Sequence, residues 1–181
     1  MKVLISKKTG NYYYYNENSN TDFHTKEGYI KAEDLLSDKK RVYTHNTQIE
    51  FIKFEANLND IKNKFKRGPQ IITPKDLGYI IARTNINKNS FIVEAGAGNG
   101  AATTFFAQIA RKVHSYEIRE DFYKITKQNL KLSNCEENVK LTCGNLAEHI
   151  QDEEDDINLL FLDMPNPREV LEKDLSKVKT G

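Results

Sequence analysis

Phe91-Ile92-Val93-Glu94-Ala95-Gly96-Ala97-Gly98-Asn99-Gly100-Ala101-Ala102 is a short apolar run that passes into glycines and out again into small helix-forming residues. A buried strand, a glycine turn and a helix in that order open a doubly wound sheet. Glycine permits the sharp reversal and lets a ligand lie against the main chain. Working outward, helical and extended patterns alternate. Helices are expected over Ala101 to Arg111, Asp121 to Leu132 and Pro167 to Lys177, with strands over Val113 to Tyr116, Val139 to Thr142 and Asn158 to Leu162. Upstream, Thr73-Pro74 starts a helix over Lys75 to Thr84, with Thr as N-cap and Pro at the first helical position. The pattern predicts an α/β class with a parallel sheet.

Before that helix the texture differs. Val3-Leu4-Ile5, Tyr12 to Tyr15, Phe23-His24-Thr25, Tyr29-Ile30 and Gln48 to Phe54 read as short strands separated by Gly and Asn turns. They suggest a small β-barrel or sandwich over residues 1–56. Tyr12 to Tyr15 are β-formers first, with a base-stacking platform as the weaker alternative. Leu58 to Lys66 is expected to be helical and Arg67-Gly68-Pro69 to break it, so residues 57–74 read as a linker and entry segment before a domain at 75–181.

Composition sets wide bounds. Lys+Arg is 27 and Asp+Glu 26, a formal net charge of +1, so any nucleic-acid surface must come from local clustering. Lys62, Lys64, Lys66, Arg67 and Lys75 form one such cluster, readable as a solvated surface or as phosphate contacts. Cys135 and Cys143 lack metal-ligand spacing, which favours reduced thiols, no metal site and a cytoplasmic protein. No stretch approaches the roughly 18 apolar residues of a membrane span.

Three carboxylates carry the chemistry. Glu117 ends the second strand, where an acid accepts the ribose hydroxyls of an adenosine. That serves NAD and S-adenosylmethionine alike, and Gly96, Gly98 and Ala101 also fit the dinucleotide pattern G-x-G-x-x-A. Glu94 separates the two. A carboxylate just before the glycines suits a ligand with an ammonium and a sulfonium, and opposes a pyrophosphate at the helix N-terminus. Asp163 ends the apolar strand in Leu159-Leu160-Phe161-Leu162-Asp163-Met164-Pro165-Asn166-Pro167, at the sheet edge where open α/β folds bind ligands.

In order along the chain, Arg67-Gly68-Pro69-Gln70-Ile71-Ile72-Thr73-Pro74-Lys75-Asp76, the glycine loop, Ser115-Tyr116-Glu117-Ile118-Arg119 and Asp163-Met164-Pro165-Asn166-Pro167 resemble the archaeal and bacterial tRNA (adenine-58-N1)-methyltransferases. Phe23-His24-Thr25, Gly28, Ile30 and Asp34-Leu35-Leu36 resemble the small β-domain that precedes their catalytic domain. The resemblance implies a class I Rossmann-like methyltransferase fold with S-adenosylmethionine as cofactor. Its substrate would be N1 of an adenosine in the tRNA T-loop, at position 58 with position 57 as an alternative.

It also implies roles. Gly96, Gly98, Asn99, Gly100, Ala101 and Ala102 would line the methionine and ribose part of the cofactor, and Glu117 would hold the ribose. Phe122 would lie beside the adenine, and Asn145 would stand where the family often has an Asp that binds the adenine amino group. Gln70 would sit at the entrance, and Asp163 would be catalytic. The family's sheet has about seven strands, of which four are legible before Gly181, and its members form tetramers. A C-terminally shortened enzyme is therefore expected, with an inactive fragment or a tRNA-binding subunit as the alternative and an NAD-dependent oxidoreductase as the third choice.

Overall fold

The computed structural model describes residues 2–15, 19–68, 71–153 and 156–179. The chain divides into two compact units, Met1–Ile61 and Lys62–Gly181.

In the first unit, β1 (Lys2–Ser6), β2 (Tyr12–Tyr15), β5 (Arg41–Tyr43) and β6 (Glu50–Glu55) form an antiparallel sheet in the order β2-β1-β6-β5. β3 (Phe23–Thr25) and β4 (Gly28–Ile30) make a separate hairpin. Among the described residues these are a four-stranded and a two-stranded sheet, the β-rich unit that the sequence suggested. Leu4, Tyr15, Ile30, Leu35, Val42 and Phe51 form the core. The sequence reading missed β5 and the one-turn helix α1 (Ala32–Leu36). Lys53 explains part of α1: its buried ammonium donates to the carbonyls of Asp34, Leu35 and Ser37. A cation there satisfies carbonyls that a helix end leaves without partners.

Glu27 ties the hairpin to the β1–β2 turn. Its carboxylate accepts from the hydroxyls of Thr9 and Tyr13 and from the Asn11 amide. Partial burial opposes its charge, but the hydrogen bonds outweigh burial and hold the carboxyl down at about 2.

In the second unit, β7 (Phe91–Ala95), β8 (Lys112–Glu117), β9 (Val139–Cys143) and β10 (Leu159–Leu162) form an all-parallel sheet in the order β10-β7-β8-β9. β7 is buried along its whole length, which is why it reads as a continuous apolar run. One layer, around Leu77, Ile92, Phe106, Val113 and Leu130, brings in α3 (Pro74–Thr84), α4 (Ala101–Ala107) and α5 (Glu120–Leu132). The other, around Phe91, Val93, Tyr116, Leu146, Ile157 and Val170, brings in α6 (Leu146–His149) and α7 (Arg168–Leu171). Thr73 caps α3 as expected, accepting from the Asp76 amide, with Pro74 behind it.

Three helices are shorter than their patterns suggested, α4 ending at Ala107 instead of Arg111. α2 (Leu58–Lys62) stops because the Lys66 amide and carbonyl are both taken by the Asn129 side chain, at 2.9 and 3.2 Å. α7 ends at Leu171 because the chain turns back and pairs Val178 with Ile157 in a parallel bridge. Lys177 is in a turn and Val178 in the bridge, so this stretch is not the end of a helix. Ile157 is fully buried, so this pairing places apolar surface that a solvent-facing helix would waste.

Because the folded-state value of Glu27 lies below the ordinary 4.5, its stabilisation is present above pH 4.5 and is lost as pH falls through about 2. E27Q lowers the urea midpoint of the first unit at neutral pH. The gap to wild type narrows as the titration is repeated from about pH 6 toward pH 3. A gap independent of pH contradicts this role.

Candidate active site

Four strand ends meet one cavity of about 630 Å³, at the carboxyl edge of the parallel sheet. β7 leaves the sheet through Gly96, whose φ of +95° falls in the region open to glycine. A Cβ added there would lie 2.0 Å from the Asp163 carbonyl oxygen, so β10 and the turn are in direct backbone contact. The Gly96 and Ala97 amides both donate to the Tyr116 carbonyl, at 3.0 and 3.1 Å. The Asp163 amide donates to the Ala95 carbonyl at 2.9 Å. These bonds fix where the Asp163 side chain leaves the main chain.

The rest of the loop is held from α5. The Thr126 hydroxyl donates to the Gly98 carbonyl at 2.9 Å, and the Asn129 amide donates to the Asn99 carbonyl at 2.9 Å. A Cβ on Gly68 would lie 2.9 Å from the Cβ of Asn99, so the segment before Pro69 also abuts the loop. Sequence reasoning missed Thr126 and Asn129. Both are buried polar residues on a helix face, and polar residues there read as solvent-facing until the fold is known.

Most of the expected residues line the cavity: Gly96, Gly98, Asn99, Ala101 and Ala102 from the glycine loop and α4, Glu117 and Phe122 after β8, Asn145 after β9, and Asp163 after β10. Glu117 is anchored at both oxygens, accepting from the Gly98 amide at 2.8 Å and the Arg119 amide at 2.9 Å. Each oxygen keeps a second lone pair for a ligand hydroxyl. Phe122 is on the wall with the Arg119 guanidinium 3.8 Å from its ring centroid. The neighbouring Ile118, 68% exposed, is the apolar side chain turned outward beside it. A bare isoleucine directly after a strand-end acid was the signal for it in the sequence.

Three expectations need correction or remain aside. Gly100 is not on the cavity wall; it begins α4 with φ +80°, and a Cβ there would lie 3.0 Å from the Thr126 methyl group. Glu94 is not on the wall either. It is fully buried behind it, and its Oε2 accepts from the hydroxyls of Thr103 and Ser115 at 2.6 and 2.7 Å. A strand interior that alternates faces turned this side chain under α4 rather than outward. Gln70 lies outside the described residues.

At the glycine loop and the strand behind it, two buried polar atoms have no hydrogen-bond partner among the described residues: Glu94 Oε1 and Asn99 Nδ2. Asn99 is only 4% exposed. Unsatisfied buried groups cost about 1–3 kcal/mol each. Burial pushes the Glu94 carboxyl up, the Ser115 and Thr103 hydrogen bonds pull it down, and the charges of Asp163 and Glu117 raise it further, to about 7.

A second buried polar group braces the wall from below. Glu153 accepts from His114 Nδ1 at 2.6 Å and from the Tyr116 hydroxyl, while His114 Nε2 meets the Thr142 hydroxyl at 2.8 Å. Burial opposes the Glu153 charge, but these partners hold its carboxyl below the ordinary range; burial and the adjacent Glu153 push the Tyr116 hydroxyl up. The cluster fixes Tyr116, whose carbonyl carries the glycine turn.

Two measurements check this geometry. Gly96→Ala combines a positive φ with backbone overlap, so it lowers unfolding stability by on the order of 3 kcal/mol or more. A change within the scatter of surface variants contradicts the close approach to Asp163. Glu94 binds a proton more tightly folded, at about 7, than its ordinary 4.5, so its stabilisation is full below pH 4.5 and lost as pH rises through 7. Glu94→Gln therefore gains Tm relative to wild type between about pH 5 and pH 8. A constant difference over that range contradicts the raised value.

The comparisons agree with this architecture. A family model described as ribosomal RNA adenine dimethylase matches residues 60–148. A tRNA (adenine(57)-N(1)/adenine(58)-N(1))-methyltransferase TrmI from Methanocaldococcus jannaschii is 31% identical over 150 residues, covering 67% of this chain and 52% of that protein. The chain therefore spans about half the length of that relative. A tRNA (adenine(58)-N(1))-methyltransferase TrmI from Thermus thermophilus is 27% identical over 176 residues, covering 94% of this chain and 68% of that one. Among solved structures, a SAM-dependent O-methyltransferase from Thermotoga maritima superposes with a TM-score of 0.82 at 25% identity, covering 99% of this chain and 68% of that one. The tRNA (m1A58) methyltransferase TrmI from Aquifex aeolicus gives 0.74 at 26% identity, with 99% and 70% covered. Joined to the ordered motifs around one cavity, these likenesses make the chain similar to the tRNA (adenine-58-N1)-methyltransferases in both sequence and fold.

Proposed function

We propose that this chain binds S-adenosylmethionine in the cavity at the sheet's carboxyl edge and methylates N1 of an adenosine in the T-loop of tRNA, at position 58 with 57 as a neighbouring target. The observation that carries the proposal is that the glycine loop, Glu117 and Asp163 line the same cavity. The cofactor fits the polar atoms present: a methionine moiety has a carboxylate for the unpartnered amide of Asn99, which lines the cavity. When bound, it supplies an electrophilic methyl group on a sulfonium.

The chain's own residues do the positioning. Glu117 accepts the ribose hydroxyls with the lone pairs left beside its two backbone amides. Ile118 and Phe122 offer apolar surface to the adenine, and Asn145 offers its amide oxygen. Asp163 accepts from the exocyclic amine of the target adenine, which orients the ring and stabilises the positive charge that N1 methylation places on it. Adenine N1 carries an in-plane lone pair, so no general base is required to make it nucleophilic. The target base must leave its stack, at a cost of a few kcal/mol. Lys62, Lys64, Lys66 and Arg67 supply charge contacts to the tRNA backbone.

Incubating the chain with S-adenosylmethionine and unmodified tRNA, then digesting the RNA for mass spectrometry, yields 1-methyladenosine. Asp163→Ala lowers its formation by about a hundredfold or more, while affinity for S-adenosylhomocysteine changes little. A fully active Asp163→Ala variant removes Asp163 from the reaction. Methylation of a different atom refutes the assigned target.

A further inference from the structure

Asn145, the N-cap of α6, presents an amide to the cavity. An amide oxygen is a weaker acceptor than a carboxylate and brings no charge. The structure supplies a carboxylate from elsewhere. Glu169, on α7, lines the same cavity, and its Oε2 accepts from Asn145 Nδ2 at 3.4 Å. Its Oε1 accepts from Asn166 Nδ2 at 2.6 Å. Asn145 Oδ1 in turn accepts from the Ala147 amide at 3.0 Å.

The Asn145 amide is thus held at both ends. Exchanging its oxygen and nitrogen would set an N–H against the Ala147 N–H and a carbonyl oxygen against the Glu169 carboxylate, and both contacts repel. The oxygen therefore keeps its second lone pair as an acceptor, beside a negative charge. Such an edge attracts an amino group and repels a carbonyl oxygen.

Strand order says which ligand group meets that edge. Along β10-β7-β8-β9 the sheet presents Asp163, the glycine loop, Glu117 and then Asn145. A nucleoside with its ribose at Glu117 extends its base toward Asn145.

We propose that Glu169 is a specificity-determining residue which, acting through Asn145, selects a 6-amino over a 6-oxo purine in the bound cofactor; this rests on the S-adenosylmethionine reading above. Glu169 positions and polarises the amide, and it restores the charge that Asn145 lacks.

The test is calorimetric binding of S-adenosylhomocysteine and S-inosylhomocysteine to the full chain. Wild type prefers the adenosyl ligand by about tenfold or more. E169Q reduces the preference by about three- to tenfold, mainly by weakening the adenosyl ligand. Adding N145D to E169Q restores it, which a merely structural role for Glu169 would not produce. An unchanged preference in E169Q and Glu169→Ala overturns the proposal and leaves the cofactor reading standing, as does equal weakening of both ligands. Absence of S-adenosylhomocysteine binding by the wild-type chain overturns the cofactor reading and this proposal together.

Discussion

The contact between Gly96 and the Asp163 carbonyl constrains everything else in the cavity. Where β7 and β10 run side by side, the turn out of β7 touches the main chain leaving β10, with no room for even a methyl group. That contact, with the paired donation of Gly96 and Ala97 to the Tyr116 carbonyl, locks three strand ends into one rim. Glu117 then reaches the Gly98 amide, and Asp163 projects from a backbone that cannot shift independently of the loop. Rigid support of this kind is what a site needs to hold two reactants in line.

The rim is backed by polar groups that the core would not tolerate alone. Glu94 rests on Thr103 and Ser115 beneath α4, and Glu153 gathers His114 and Tyr116 beneath β8. Each carries a carboxylate through burial by surrounding it with donors, the condition under which buried charge is retained. They differ in outcome. Glu153 has enough partners to stay below the ordinary range, whereas Glu94 has one oxygen without a partner among the described residues and is pushed up. The less satisfied of the two is the one behind the glycine loop.

Much of the second unit was legible because its signals are local. Period and apolar content marked the buried strands, Thr73-Pro74 marked the start of α3, and glycines with a strand before and a helix after marked the loop. Helix ends were less legible. α2 and α7 stop where distant partners, Asn129 and Ile157, claim their backbones. The first unit was read in part, since β5 is short and α1 is capped by a lysine from a strand well downstream.

By itself the sequence determined the α/β class, the order of motifs and the identity of the carboxylates, because strand period, glycine turns and strand-end acids depend on neighbours in the chain. Only the tertiary structure decided which of those carboxylates face the cavity. Glu94 lies one residue inside the end of β7 and Glu117 ends β8, but one is turned beneath α4 and the other is anchored at the rim. Only the tertiary structure, too, brought Glu169 to Asn145 and Asn129 to the glycine loop. These are side-chain contacts between elements far apart in sequence, set by helix packing across the sheet, and no local pattern encodes them.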